Sequence, residues 1–313
     1  MTKLFVHVCL LALVLCWGFI DVAGQSRMTA ITLVPRSAVA VAKLNWTIVG
    51  QDDRFRTMLN ADQLDRGLAQ LRIKGSEVSE IVIFSGKNAS PTGLLAGIFR
   101  GSYSVQAVNA QLKSQNLTET IYKSRTMYFN PADKSYASVL RSGMLVIGSQ
   151  TGVEGVIDVE ISPRTSLTLR PPFNSLLAKF AASRHPISFM MGLPREYQAV
   201  ADVAVKVVST MFSLSGLGPL GFVLDKIGFP HTLGFSIARS GTTFPVLLLA
   251  QMKDTTSAAL VSGTLNMMQG MNMSMLSDRM SSSDREMLKN IAVTRNEALL
   301  SIKMILREQD LPH

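Results

Sequence analysis

The densest chemistry in this sequence is thioether. Met267, Met268, Met271, Met273, Met275 and Met280 fall within fourteen residues. Soft sulfur holds soft ions, so this cluster reads as a Cu(I) site in a chain that offers no better soft ligand. The same spacing also describes packing. Met267, Met271 and Met275 recur every four residues, as on one face of a helix, while Met271, Met273 and Met275 alternate as on one face of a strand. A nucleophile is suggested by Gly234-Phe235-Ser236-Ile237-Ala238, which approximates the turn that presents a hydrolase serine but has Ala238 where a second glycine belongs. The alternation around Ser236 reads as ordinary strand, and the histidines a triad needs are scattered: His185 and His231 each adjoin a proline, and His313 ends the chain. Gly216-Leu217-Gly218-Pro219-Leu220-Gly221 has dinucleotide-loop spacing, but a helical pattern precedes it and Pro219 sits inside it, so a loop after a helix is expected. No carboxylate pair lies among aromatics as glycoside hydrolysis requires, and no Asp, Glu or His set has metal-ligand spacing. These residue types assign no catalytic, cofactor or metal residue. They point to a non-catalytic protein, with an enzyme whose site is assembled from scattered residues as the competing class.

Compartment follows from the first 24 residues. Lys3 precedes an apolar run from Leu4 to Ile20, and Val22-Ala23-Gly24 supplies the small residues that a signal peptidase reads. Cleavage before Gln25 is expected, with retention as an uncleaved anchor as the alternative. Both cysteines, Cys9 and Cys16, lie in that segment. The remaining chain therefore has no thiol for disulfides, zinc or nucleophilic attack, and its stability must come from its core. With 47% hydrophobic and 17% charged residues the chain is globular rather than disordered. Removing Lys3 and Asp21 with the leader leaves the net charge at +9. Such a balance favours anionic neighbours, including a membrane surface. The basic residues do not interleave with aromatics as a nucleic-acid groove requires. Asn-x-Ser/Thr triplets begin at Asn45, Asn88, Asn116 and Asn272 and would matter in a source that glycosylates exported proteins. The long apolar stretch 199–224 carries Asp202, Lys206 and Pro219, which argue for a buried helix over a membrane span.

Periodicity supplies the elements. Alternation predicts a strand after Pro35, a helix from Asp52 or Asp53 to about Ile73, strands at 78–85 and 94–100, and a helix over 104–115 capped by Ser102 or Ser104. A strand near 120–129, a hairpin over 136–148 turning at Ser142-Gly143, and a helix over 151–159 follow. The pattern then recurs. Val82 and Phe84 fall on Phe235 and Ile237 at an offset of 153, Leu94, Leu95 and Ala96 on Leu247, Leu248 and Leu249, and the hairpin returns over 290–302. The expected fold is therefore α+β: two tandem copies of a strand-helix-hairpin-helix-hairpin unit, with antiparallel sheets covered by helices. The expected boundaries are a signal peptide over 1–24, a first repeat over 25–160, a connecting segment over 161–185, and a second repeat over 186–313. In outline this pattern resembles exported bacterial proteins of uncharacterised function, built from a duplicated α+β unit that opens on proline and a strand. The resemblance carries no functional residue with it. The function expected is an extracytoplasmic binding or scaffolding protein of the cell envelope, periplasmic or secreted, without cofactor. Its expected partner is an apolar or anionic ligand, or another envelope protein docked between the copies.

Overall fold

The computed structural model describes residues 29–86, 96–183, 185–192, 230–270 and 291–307. The leader over 1–24, the stretch 199–224 with its glycine loop, Met271 to Met280, His313, Asn88 and Asn272 lie outside the described residues.

The described strands are β1 (Ala38–Asn45), β2 (Val78–Gly86), β3 (Ala96–Gly101), β4 (Thr118–Tyr122), β5 (Arg125–Asn130), β6 (Ser135–Val139), β7 (Leu145–Gly148), β8 (Ile187–Gly192), β9 (Thr232–Ile237), β10 (Thr243–Gln251), β11 (Ala292–Asn296) and β12 (Leu299–Arg307). All pair antiparallel in one sheet, in the order β11-β12-β10-β9-β8-β1-β2-β3-β7-β6-β5-β4. The described α-helices are α1 (Trp46–Val49), α2 (Asp53–Met58), α3 (Ala61–Gln70), α4 (Val105–Ser114), α5 (Gln150–Ile161), α6 (Phe173–Ser183) and α7 (Thr255–Gly270).

This corrects the expectation of two tandem units. There is one continuous sheet, closed across the middle by β1 on β8, where Ala40 to Leu44 pair with Met191 to Ile187. The proposed unit is not what the first half contains. Residues 118–148 make a four-stranded meander, β4 to β7, in place of a strand and a single hairpin. The helix expected over 52–73 is two helices, broken where Asn60 takes a left-handed φ of 49°. Alternation reports which residues face a core, and it does not report which strand edges join. Left apart, β1 and β8 would each expose a row of unpaired backbone groups, and joining them removes both edges. The meander was hidden because β4 is exposed along most of its length and carries no apolar alternation. A two-residue turn makes it, with Lys123 and Ser124 both at positive φ (47° and 63°), the geometry whose twist suits adjacent antiparallel strands.

Among the described residues the two larger cores lie on opposite faces of the sheet, and a third, small cluster packs Ala258 of α7 against Met252 and Leu300. Val41, Val82, Phe84, Ile98, Val146 and Met190 face Leu33, Val153, Val156, Phe173 and Leu176, so the 30–33 turn, α5 and α6 cover this side. Leu44, Ile81, Phe99, Leu145 and Val246 face Val49, Phe55, Leu68, Val108 and Leu112 on the other, beneath α1 to α4. The second face also ties the halves together. Asp52 caps α2 by accepting from the Arg54 and Phe55 N–H groups, and the same oxygen meets Arg239 Nη1 at 3.0 Å. Phe55 sets its ring edge on Phe244 at 6.1 Å. Tyr103 is pinned between strands, donating to the Phe99 carbonyl at 2.6 Å and accepting from the Leu145 N–H at 2.8 Å. Burial pushes its hydroxyl up to about 12, so it remains a donor at ordinary pH.

One buried ion pair fixes α5 to the meander. Arg125 donates from Nε and Nη2 to Glu160 Oε2 at 3.1 and 3.0 Å, and the other carboxylate oxygen accepts from the Ser142 N–H at 3.0 Å. The side chains are 10% and 6% exposed, so neither charge can turn to water when its partner is removed. Glu160→Ala is expected to destabilise the fold by about 3–5 kcal/mol in chemical denaturation, and Arg125→Met with Glu160→Leu to recover most of that loss. A cost under about 1 kcal/mol for Glu160→Ala would show that the pair is solvated.

Candidate functional site

The β1–β8 register sets Lys43 opposite Ser188, and the β8–β9 register sets Ser188 opposite Ser236. Alternation puts this polar row on the face that Val41, Met190 and Leu247 give to the α6 side. Helix α6 is seated beside the row by two aromatic rings seven residues apart, and therefore on one face of the helix. Phe173 lies over Gly192 and Phe180 over Gly234, where a Cβ would meet the rings at 3.0 and 2.7 Å. The absence of side chains on these strand glycines is what lets the helix approach so closely.

Between α6 and the polar row lies a cavity of about 400 Å³. Ile31, Leu177 and Phe180 supply its apolar wall, while Lys43, His185 and Ser188 lie at its sheet end. The volume falls within the roughly 300–1,000 Å³ usual for small-molecule sites, as does the pattern of apolar walls with a few polar groups. A second hollow, of about 260 Å³, sits under the other face between Trp46, Arg56 and Asp65. Arg56 is already committed there to Asp62, Asp65 and the Gly50 carbonyl, at 2.6, 2.9 and 3.2 Å. We therefore take the first cavity as the site.

Its electrostatics centre on Glu80. This carboxylate is 8% exposed and stands between two cations, Lys43 Nζ at 3.4 Å and Arg100 Nη1 at 3.7 Å. Oε2 accepts from the Ala30 N–H at 3.0 Å. Oε1, the oxygen nearer Lys43, has no hydrogen-bond partner among the described residues, so the 3.4 Å approach is a charge contact without hydrogen-bond geometry.

The structure brings two of the sequence candidates together. His185 Nδ1 and Ser236 Oγ are 2.9 Å apart. Fifty-one residues separate them, and no local signal announces the contact. The pair lacks the form of a hydrolase site. Ser236 is fully buried in mid-strand, between Ser188 and Leu247, where its backbone belongs to ladders on both sides. An activated serine instead stands on a sharp turn beside free N–H groups that can receive an oxyanion. The bond fixes the segment entering β8 against β9. The remaining candidates lie elsewhere. His231 is exposed, and its N–H donates to the Gln251 carbonyl at 2.8 Å. Met267 is half exposed near the end of α7. Asn45 is half-buried at the end of β1, and Asn116 is exposed in a left-handed turn. Among the described residues there is no group of three His, Cys, Asp or Glu side chains placed to hold a metal ion, and no helix is long and apolar enough to cross a membrane.

No protein-family model matches the chain, and no curated protein matches it in sequence. Three solved structures are similar in outline: crystal forms I, III and IV of TP0453, at 10%, 9% and 9% identity. Each comparison covers 91% of this chain and 96% of the other, with TM-scores of 0.46, 0.42 and 0.48. At these values nothing is carried from them to the site.

The seating of α6 is testable. Gly234→Ala is expected to cost about 1–3 kcal/mol, because the new methyl meets the Phe180 ring. In a Phe180→Leu background the same change is expected to cost less, giving a coupling of at least about 0.5 kcal/mol in a double-mutant cycle. Additive losses would place Phe180 away from Gly234.

Proposed function

We propose that the protein is a non-catalytic binding module of the cell envelope, acting outside the cytoplasm, and that the cavity between α6 and the sheet holds its ligand as an apolar body. The observation that carries this reading is the cavity itself. Its volume suits a small molecule, Ile31, Leu177 and Phe180 line it, and the serine–histidine pair at its edge is a structural hydrogen bond. The envelope location is supported by the sequence alone: a leader of signal-peptide form and a chain without thiols beyond it.

N-phenyl-1-naphthylamine, an uncharged apolar probe that fluoresces out of water, tests the reading. Titrated into the full chain, it is expected to bind saturably. Ala178 lines the cavity from the exposed side of α6, so Ala178→Trp fills the space with little demand on the core. This variant is expected to keep the native circular dichroism and weaken the probe by about tenfold or more. Identical titrations of the two proteins would place the binding outside the cavity and overturn the proposal.

A further inference from the structure

We propose that the ligand carries one acidic group and that Lys43 receives it, an inference that rests on the cavity reading above and names the chemistry of its occupant. The first support is the charge of the lining. Among the described residues, Lys43 and His185 are the nitrogen bases at the cavity and no carboxylate lines it. The second is the arrangement around Glu80. A buried carboxylate needs compensation, and Lys43 would be accounted for if that were its whole task. Glu80, however, is served a second time, by Arg100 at 3.7 Å and by the Ala30 N–H at 3.0 Å. Two cations share one carboxylate, which leaves the cluster with an excess positive charge. The third support is hydrogen-bond geometry. The Lys43 ammonium approaches Glu80 without hydrogen-bonding it, so its N–H groups keep capacity for an acceptor. Ser188, directly across the β1–β8 ladder and also lining the cavity, adds a hydroxyl beside that ammonium.

The arrangement also orients the ligand. Charge lies at the sheet, on Lys43, while Leu177 and Phe180 lie along α6. A monoanionic molecule with an apolar body satisfies both ends at once: the acid accepts charge-assisted hydrogen bonds from the ammonium, and the body leaves water against the helix. A dianion would exceed the single excess charge of the cluster, and a cation would be repelled by that same excess.

Two probes with the same aromatic body separate this inference from the cavity reading. 1-Anilinonaphthalene-8-sulfonate is N-phenyl-1-naphthylamine with a sulfonate added. The full chain is expected to bind the sulfonate about tenfold more tightly or better. Lys43→Met is expected to abolish that preference while leaving the neutral probe unchanged, and Lys43→Arg to retain it. Ala178→Trp is expected to weaken both probes, which excludes sulfonate binding elsewhere on this basic surface. Equal affinity for the two probes in the wild type, or a sulfonate preference that survives Lys43→Met, overturns the acidic-group inference and leaves the cavity reading standing. Failure of both probes to bind removes the two together. If Lys43→Met loses its fold because Glu80 is left with one cation, Lys43→Gln with Glu80→Gln repeats the test, and an intact preference in that variant also overturns the inference.

Discussion

The pairing of β1 with β8 is the constraint on which the rest of this molecule depends. It joins residues about 150 positions apart in the chain, from Ala40 against Met191 to Leu44 against Ile187. Closing so long a loop costs conformational entropy that local contacts cannot offset, so the pairing must be held by what it assembles. It removes two exposed strand edges, completes a core on each face, and places Lys43 and Ser188 side by side. A slip of one residue would send every side chain of β8 to the opposite face, taking Ser188 off the cavity and Ile187 out of the α2 core.

The cavity follows from two further features, the seating of α6 and the burial of Glu80. Phe173 and Phe180 set the position of α6 by resting on glycine backbone, and Leu177 between them faces space that the helix does not fill. Glu80 sets the charge. Its burial draws in Lys43 and Arg100, and the use of two cations for one carboxylate makes the sheet end of the cavity positive. Shape comes from the smallest residue on the strands and polarity from a charge that cannot reach water.

Much of the local structure was legible in the sequence, and the reasons are local. Strands β1 and β2 lie where alternation put them and β9 where the recurrence of Val82 and Phe84 put it, Asp52 and Ser104 cap helices as their types suggested, and Gly143 turns the β6–β7 hairpin at a φ of 79°. The joining of the sheet was not legible, because the alternation of β1 is the same whether its free edge meets β8 or water. The local pattern singles out Ser236 but not its partner His185, since proximity across fifty-one residues leaves no trace in spacing. The signals that could have found the cavity were Gly192 and Gly234. A glycine within a strand marks a close approach, and a pair of phenylalanines seven apart in the adjoining helix is what approaches.

The seam itself can be measured. In a chain whose cysteines at 9 and 16 are replaced or removed with the leader, Ala40→Cys with Met191→Cys sets two thiols directly across the β1–β8 ladder. Paired residues in an antiparallel ladder stand about 4.5–5.5 Å apart at Cα, within reach of a disulfide. Ala40→Cys with Met190→Cys points the second thiol to the other face. Mild oxidation followed by peptide mass spectrometry is predicted to yield the 40–191 disulfide in the monomer and no 40–190 disulfide. A 40–190 bond, or no bond in either protein, would contradict the register that places Lys43 and Ser188 together beneath α6.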